Sequence, residues 1–322
     1  MTWKYSANLG FFGARLNKFY QFRPQRTLAE KFELAAAAGV QGVEVKFPGD
    51  GDDADELKGL LERHRLALSA VNVDTKDVNH FRYGALSAAD PAARAEAVRR
   101  LRAGMDLAAS LGCGLVTTCP LSDGYDYPFQ IDYADAWGRF IDSVKAAVSH
   151  RDDVTLLLEY QPREPHAKIL LSNVGAMLHV AAQVDAPNLG ANFDVGHSFA
   201  AGEAPAEAAA LLASRGLLRY IHTNDNTGDG GDWDMVSGSV HFWHWVELVH
   251  TLSRLGYDGW LGADIEPKTD GPAELYRTNI LMIRRMDALV DRLGFQRLAD
   301  MIRTDGNTAE IYALLTSVLD GG

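Results

Sequence analysis

The stretch Gly190–His197, GANFDVGH, joins an apolar run of strand length to two ionisable residues, Asp194 and His197. Three other segments have the same pattern. Each is an apolar run that ends at an acidic residue or a histidine and precedes a stretch of helical composition. These segments are LLLEY with Glu159, RYIHTNDN with His222, and LGADIEP with Glu266. Ionisable residues at the carboxyl ends of successive strands, with helices between them, are typical of an α/β barrel active site.

Strand-like and helix-like segments alternate along almost the whole chain. Eight apolar or β-branched runs of about five residues have the length of buried parallel strands. They are Tyr5–Leu9, Gly42–Lys46, Ala67–Asn72, Leu115–Cys119, Val154–Glu159, Leu189–Asp194, Leu218–His222 and Trp260–Glu266. Stretches of helical length lie between them, including Thr27–Ala38, Pro91–Leu111, Tyr133–Ser149 and Phe242–Leu255. Gly39, Gly112 and Gly256 each stand just before a strand and are predicted to end a helix.

This alternation predicts an α/β fold, a (β/α)8 TIM barrel, because eight parallel strands joined by right-handed helical crossovers can close on themselves. A doubly wound open sheet is the alternative, but the turn after the first strand reads NLGFFGARL and has no GxGxxG phosphate turn. We assign residues 1–270 to the barrel domain and residues 271–322 to C-terminal helices, the last barrel helix plus an extension. The extension either packs on the barrel or wraps a neighbouring subunit, and we expect a homodimer or homotetramer.

The charge balance restricts the possible partners. The 322-residue chain has a formal net charge of −12, which disfavours a nucleic-acid partner and docking on anionic lipid. No stretch approaches the roughly 20 apolar residues of a membrane span, and the N-terminal sequence has no signal-peptide pattern. Cys113 and Cys119 are the two cysteines, and they fit reduced thiols rather than a disulfide framework. We therefore expect a cytoplasmic protein.

The acidic strand ends would repel one another where they converge. Two like charges about 4 Å apart repel by roughly 4 kcal/mol at an effective dielectric of 20, and several such pairs would cancel much of a typical fold stability of about 5–15 kcal/mol. A divalent cation neutralises them more simply than protonation does. Oxygen ligands with one or two imidazoles suit Mn²⁺, with Co²⁺ or Mg²⁺ as alternatives. Asp232 and Asp234, in GGDWDMVSGS, suggest a second ion, so we expect one or two per chain.

The order Glu, Asp-x-x-His, His, Asp-x-Asp, Glu resembles the xylose isomerase-like TIM barrels, which include xylose isomerase, L-rhamnose isomerase and the ketose 3-epimerases. The resemblance covers residues 115–268 and, more weakly, the whole chain. SDGYDYPFQ (Ser122–Gln130) is similar to the loop after the fourth strand in L-rhamnose isomerase-type enzymes, and EYQPREP (Glu159–Pro165) resembles the isomerases' fifth-strand motif. Asp232 and Asp234 lie 10 and 12 residues beyond His222, which is similar to the spacing of the second metal site in xylose isomerase.

The resemblance implies two sets of metal ligands. The first set is Glu159, Asp194, His222 and Glu266. The second set is Asp194, His197, Asp232 and Asp234. The resemblance also implies catalytic roles for Glu159, Glu266 and His197. We expect substrate contacts from Gln161, Arg163, His197, Lys46 and Trp233, since Lys46 ends the second strand and Trp233 offers an apolar wall.

Two features of the sequence depart from xylose isomerase. Gln161 stands where that enzyme has a lysine that stabilises the developing alkoxide, so Arg163 or Lys268 would have to supply the positive charge. Glu266 stands in place of an aspartate, and the pair Glu159 and Glu266 resembles the acid and base of the epimerases.

Three functions remain open from the sequence. The first hypothesis is a divalent-metal-dependent sugar isomerase that interconverts an aldose and a ketose by a metal-assisted hydride shift. The second is a ketose 3-epimerase, or a related enolising enzyme or lyase, in which Glu159 and Glu266 exchange protons. The third is a non-catalytic barrel that binds a sugar or a metal.

Overall fold

Eight parallel strands form a closed barrel at the centre of the structure. The computed structural model describes residues 3–16, 21–164, 166–229, 231–266, 271–304 and 307–318. The barrel strands are β1 (Lys4–Asn8), β2 (Gly42–Phe47), β3 (Ala67–Val73), β4 (Leu115–Thr118), β5 (Thr155–Glu159), β6 (Leu189–Asp194), β7 (Leu218–Thr223) and β8 (Trp260–Ala263). Around the barrel they follow the order β1, β8, β7, β6, β5, β4, β3, β2, and all neighbours are parallel. The predicted (β/α)8 barrel is confirmed.

The observed strands agree with the predicted ones to within one residue at each end, except at the end of β8. That strand stops at Ala263 rather than Glu266. The chain leaves the barrel sheet there, because the backbone N–H of Glu266 donates to the carbonyl of Asp234, 2.9 Å away in the loop after β7. Asp264 still donates its backbone N–H to the carbonyl of Thr223 on β7 at 3.4 Å, and by Glu266 the chain follows the loop after β7.

The helices that cover the barrel are α1 (Leu28–Ala38), α2 (Ala54–His64), α3 (Val78–Phe81), α4 (Pro91–Ser110), α5 (Tyr133–Val148), α6 (Val174–Val184), α7 (Val195–Ala200), α8 (Pro205–Ser214), α9 (Phe242–Leu255), α10 (Pro272–Leu293), α11 (Phe295–Ile302) and α12 (Thr308–Ser317). Four of them, α1, α4, α5 and α9, begin and end within one residue of the predicted bounds. Thr27 and Glu30 form a capping box at the start of α1, each side chain accepting from the other's backbone N–H. Gly39 ends α1 in the left-handed region, at φ +80°, which glycine adopts without a steric penalty.

Three helices follow the last strand. The long helix α10 packs between α9 and α1, and it therefore takes the place of the eighth barrel helix. Helices α11 and α12 extend beyond it, and Leu298 and Leu314 are their buried leucines. The division of the chain at residue 270 and the wrapping of a neighbouring subunit stay predictions. No helix in the described part of the chain combines the length and hydrophobicity that crossing a bilayer requires.

The barrel interior is filled by side chains below the level of the ionisable strand ends. Tyr220 lies at the centre, and its hydroxyl is 2.6 Å from Ser6 Oγ and 3.0 Å from Ser69 Oγ. Gly262 leaves room for this ring, because a Cβ at that position would lie 2.7 Å from it. Side chains two residues apart point to the same face of a strand, so Tyr220 places His222 one level higher, at the barrel mouth.

Candidate metal and sugar site

Four side chains at the ends of β5 to β8 form one buried group in the barrel mouth. The group consists of Glu159, Asp194, His222 and Asp264, whose ligand atoms all lie within 4.8 Å of one another. His222 Nδ1 lies 2.9 Å from Asp264 Oδ2, 3.4 Å from Glu159 Oε2 and 3.7 Å from Asp194 Oδ2. The convergence of neighbouring strand ends thus brings together three of the residues predicted for the first ion.

The fourth member of the group is Asp264 and not the predicted Glu266. Asp264 stands two residues after Gly262 and points inward with it, while Ile265 is fully buried among the apolar side chains outside the barrel. Glu266 would share the inward face if β8 continued, but the strand ends at Ala263. Glu266 lies beyond the end of β8, is half-buried and lines the cleft above the group. Asp264 therefore joins the candidate ligands of the first ion, and a ligand role for Glu266 stays a prediction.

A second set of predicted ligands borders the first. His197 Nδ1 lies 3.3 Å from Glu159 Oε1, and His197 Nε2 lies 3.4 Å from Asp232 Oδ2. Asp234 is joined to the first group through Asn224, whose Nδ2 lies 3.0 Å from Asp194 Oδ2 and 3.4 Å from Asp234 Oδ1. Of the residues predicted for the second ion, Asp194 thus belongs to the first group, and His197, Asp232 and Asp234 lie beside it.

Glu44, a residue that our sequence analysis did not select, supports His222 from below. It is fully buried on β2, and its Oε2 lies 2.8 Å from His222 Nε2. Its other oxygen accepts hydrogen bonds from Asn72 Nδ2 at 2.8 Å and Thr117 Oγ1 at 2.7 Å. A carboxylate that holds one ring nitrogen of a histidine leaves the other nitrogen to serve as a ligand. Glu44 thus directs Nδ1 of His222 towards the group.

The group carries more carboxylates than its histidines can neutralise. Burial raises the pKa of Asp194 to about 7, and burial likewise raises the pKa of Asp264. The pKa of Asp234 is also raised, first by burial and then by the neighbouring Asp232. Burial acts against the charge of His222, but the carboxylates around it, Glu44 first, raise its pKa. Without a cation, protons must take up part of this charge.

The donor atoms of the group fit a divalent cation. Asp264 Oδ1 and His197 Nδ1 are buried without a hydrogen-bond partner among the described residues, and such unsatisfied polar atoms are costly unless something binds them. Three carboxylates and one imidazole match the oxygen and nitrogen ligands that Mn²⁺, Co²⁺ or Mg²⁺ accept. The thiol of Cys119 lies beside Glu159 and His197, but burial raises its pKa well above the usual range, which disfavours a thiolate ligand.

A cleft of about 1000 Å³ opens above the group. Its volume and polar floor suit a small polar ligand. Of the predicted substrate contacts, Lys46, Gln161 and His197 line this cleft. Arg163 and Trp233 do not belong to its described lining: Arg163 borders a neighbouring groove, and Trp233 is exposed and donates to Asp229. Lys268 lies outside the described residues.

Gln161 is already committed to other protein groups. Its amide nitrogen donates to the Arg163 carbonyl at 2.8 Å and to Glu164 Oε2 at 2.9 Å, and its oxygen lies 3.7 Å from Cys119 Sγ. Both amide hydrogens are therefore used within the protein. Gln161 supports the cleft wall, and a charged donor to the substrate has to come from elsewhere.

Comparison with known proteins gives a family match over most of the chain. The sequence model of the family described as "Xylose isomerase-like TIM barrel" matches residues 32–286. A xylose isomerase of Thermus thermophilus is 29% identical over 208 residues, which cover 63% of this chain and 54% of that protein. The match therefore spans about half the length of that curated relative.

Solved structures of sugar epimerases share the fold. An L-ribulose 3-epimerase superimposes with a TM-score of 0.69 at 17% identity, covering 95% of this chain and 99% of the other. A D-allulose 3-epimerase from Methylomonas sp. gives a TM-score of 0.68 at 15% identity, covering 88% of this chain and 97% of the other. At these identities the superpositions establish a common barrel.

Proposed function

We propose that this chain, which belongs to the xylose isomerase-like TIM barrel family, is a divalent-metal-dependent sugar isomerase that interconverts an aldose and a ketose. The observation that carries the proposal is that two sets of candidate metal ligands meet at Glu159 and Asp194. His222 and Asp264 belong to one set, and His197, Asp232 and Asp234 belong to the other. Both sets lie at the floor of a cleft whose volume suits a sugar. The xylose isomerase among its relatives supports the same reaction class.

The first ion, Mn²⁺ in our proposal, would be held by Glu159, Asp194, His222 and Asp264. A second ion would be held by Asp194, His197, Asp232 and Asp234. When bound, such ions polarise adjacent oxygens of an open-chain sugar as Lewis acids, which favours a shift of hydride between neighbouring carbons.

Other residues of the protein orient the candidate ligands and exclude water from below the site. Glu44 keeps Nδ1 of His222 directed at the ligand group, and Asn224 holds Asp194 in place with a 3.0 Å hydrogen bond. Tyr220 and the apolar side chains of the barrel close the site from below. Exclusion of water from this side strengthens the electrostatic interactions at the floor.

The decisive experiment follows deuterium from carbon 2 of an aldose. Wild-type protein loaded with Mn²⁺ is incubated in ordinary water with a panel of C2-deuterated pentoses and hexoses, and the products are analysed by NMR. We expect a ketose that keeps the label at carbon 1. Asp264→Asn should abolish turnover, whereas Glu33→Gln, an exposed change on α1, should not. Turnover with loss of the label to solvent, or no turnover of any sugar, contradicts the proposal.

A ketose 3-epimerase is the second candidate. Glu159 and Glu266 both line the cleft, so two carboxylates face the bound ligand as a proton-exchange mechanism needs. The same NMR assay with unlabelled ketoses in D₂O distinguishes it. Deuterium at carbon 3, together with full loss of turnover in Glu266→Gln, favours the epimerase over the isomerase.

A further inference from the structure

The cleft has a lysine-bearing wall opposite its acidic floor. Lys31, Lys46 and Lys76 all line it, and they come from the side of the barrel formed by β1 to β3. Two of them are neutralised within the protein. Lys31 Nζ lies 2.7 Å from Asp50 Oδ1, and Lys46 Nζ lies 2.6 Å from Asp74 Oδ2. Their charges are therefore already used.

Lys76 differs from the other two lysines. Among the described residues, no carboxylate lies within the 4 Å of an ion pair with its ammonium, and its side chain is exposed to the cleft. Its backbone is nevertheless fixed, because its N–H donates to Asp74 Oδ1 at 2.8 Å. That same carboxylate holds Lys46, so the segment after β3 is tied to β2. The side chain of Lys76 thus lines the cleft, while its backbone is held in place by Asp74.

Lys76 lines the same cleft as the acids of its floor, Glu159, Asp232 and Asp264. These three acids are within electrostatic range of its ammonium, as are Cys119 and Asp74. A sugar bound in this cleft would therefore contact both the acidic floor and the wall that bears Lys76.

We propose that Lys76 is a catalytic residue whose ammonium donates a hydrogen bond to the substrate oxygen that becomes negative during the reaction. This inference rests on the proposed sugar isomerase or epimerase function, since both routes pass through a negatively charged oxygen on the open-chain sugar. Preorganised donors at a developing negative charge contribute strongly because they need no rearrangement. The amide of Gln161 cannot take this role, since Arg163 and Glu164 use both of its hydrogens.

Kinetics of matched lysine variants test the proposal. Lys76→Met should lower kcat by about 10²–10³, the usual effect of removing one such donor, while Mn²⁺ affinity measured by calorimetry stays within about threefold of wild type. Lys58→Met, which removes an exposed lysine on α2, is the control for net charge. Lys76→Arg should keep more activity than Lys76→Met. A kcat within about threefold of wild type in Lys76→Met overturns the proposal.

Chemical rescue separates the lost ammonium from a lost fold. Treatment of Lys76→Cys with 2-bromoethylamine creates a side chain of nearly the original length with a terminal ammonium. The native thiols react slowly, since burial raises the pKa of Cys113 to about 11 and that of Cys119 well above its usual range. We expect alkylation to restore at least about tenfold in kcat and to leave similarly treated wild type unchanged. A folded Lys76→Cys protein that is alkylated at this cysteine without any gain contradicts the proposal.

A binding measurement makes failure of the inference distinguishable from failure of the proposed function. A sugar-derived hydroxamic acid binds a metal ion as its anion, which resembles a charged enediolate, whereas a linear polyol of the same length is neutral. Lys76→Met should weaken binding of the hydroxamate by about 10²-fold and binding of the polyol by less than about threefold. Equal losses for the two ligands overturn the role of Lys76, even if wild type turns over a sugar. If wild type turns over none, the proposed function fails and the hydroxamate result still decides how Lys76 acts.

Discussion

Replacement of Glu44 by glutamine should weaken metal binding although Glu44 touches no metal. One of its oxygens accepts from Asn72 and Thr117, at 2.8 and 2.7 Å, and the other faces His222 Nε2 at 2.8 Å. In Glu44→Gln the amide oxygen stays with these two groups, because the Asn72 amide nitrogen can only donate and therefore requires an acceptor. The amide NH₂ then faces Nε2, which must become the acceptor. The ring proton moves to Nδ1, the atom 2.9 Å from Asp264 at the ligand group.

The size of the effect follows from the two orientations open to the new amide. With its oxygen towards Asn72 and Thr117, it imposes the wrong tautomer on His222, and lost partners of this kind cost about 10–100-fold in metal affinity. That range is about 1.4–2.8 kcal/mol at 1.4 kcal/mol per tenfold. With the amide reversed, donors meet donors, and each unsatisfied buried group costs about 1–3 kcal/mol. Neither orientation restores the wild-type site.

Calorimetric titration of chelator-stripped protein with Mn²⁺ measures the change in Kd. Glu33→Gln, an exposed substitution of the same type on α1, is the matched control and should bind as wild type does. A circular dichroism spectrum and a melting curve establish that Glu44→Gln is folded. A Kd within about twofold of wild type in the folded variant would falsify the assignment of Nδ1 as the ligand atom.

Two further predictions concern the other end of the ligand group and a surface cluster. Asp264→Asn should raise the Kd for Mn²⁺ by more than about 10²-fold, because it removes a carboxylate of the ligand group. Glu266→Gln should change this Kd by less than about threefold. A larger rise of the Kd in Glu266→Gln than in Asp264→Asn, measured by calorimetry, favours Glu266 as the ligand. Hydrogen bonds from His80 and Arg100 lower the pKa of Asp77 to about 2 against the opposing effect of burial, and those from Arg99 and Arg100 lower the pKa of Glu96 to about 2. The stabilisation that these two carboxylates give the fold is complete above their unfolded pKa near 4 and is lost as the pH falls towards about 2. The free energy of unfolding should therefore fall between pH 5 and pH 3 by about 1 kcal/mol less in Arg100→Met than in wild type. Equal losses in the two proteins, measured by urea titration at each pH, contradict this.

The barrel was predictable because its signals are local. Short apolar runs separated by helices with glycine stops identify buried parallel strands without any knowledge of their neighbours. The grouping of Glu159, Asp194 and His222 then follows, since the carboxyl ends of adjacent parallel strands meet at one end of a barrel.

The choice between Asp264 and Glu266 was not predictable at the same level. Both lie on the same face if β8 continues, because they are two residues apart. The strand ends at Ala263 instead, where the chain turns to bond with the loop at Asp234. The end of β8 depends on a contact between residues 32 positions apart, Asp234 and Glu266. Strand propensity is a local property and does not predict such a contact.

Glu44 did leave a signal in the sequence. It stands between Val43 and Val45, in a strand whose other residues before Lys46 are apolar, and a charge buried in such a strand needs a partner. We selected Lys46 from this strand because it lies at the end, where barrel sites usually are. Glu44 lies one level deeper, where only the register of the closed barrel reveals that His222 is its partner.

The contact between Glu44 and His222 also explains why this site requires a barrel and not an open sheet. Strands β2 and β7 are not neighbours, since β1 and β8 lie between them. Their side chains meet only because the sheet closes and turns both inner faces towards one axis. Glu44 joins β2 to β3, β4 and β7 through Asn72, Thr117 and His222. Lys76 reaches the same floor from the end of β3. In our proposal, the residues from the first half of the barrel orient the histidine and face the substrate, while the second half supplies the metal ligands. Closure of the barrel brings these two sets of residues within contact distance.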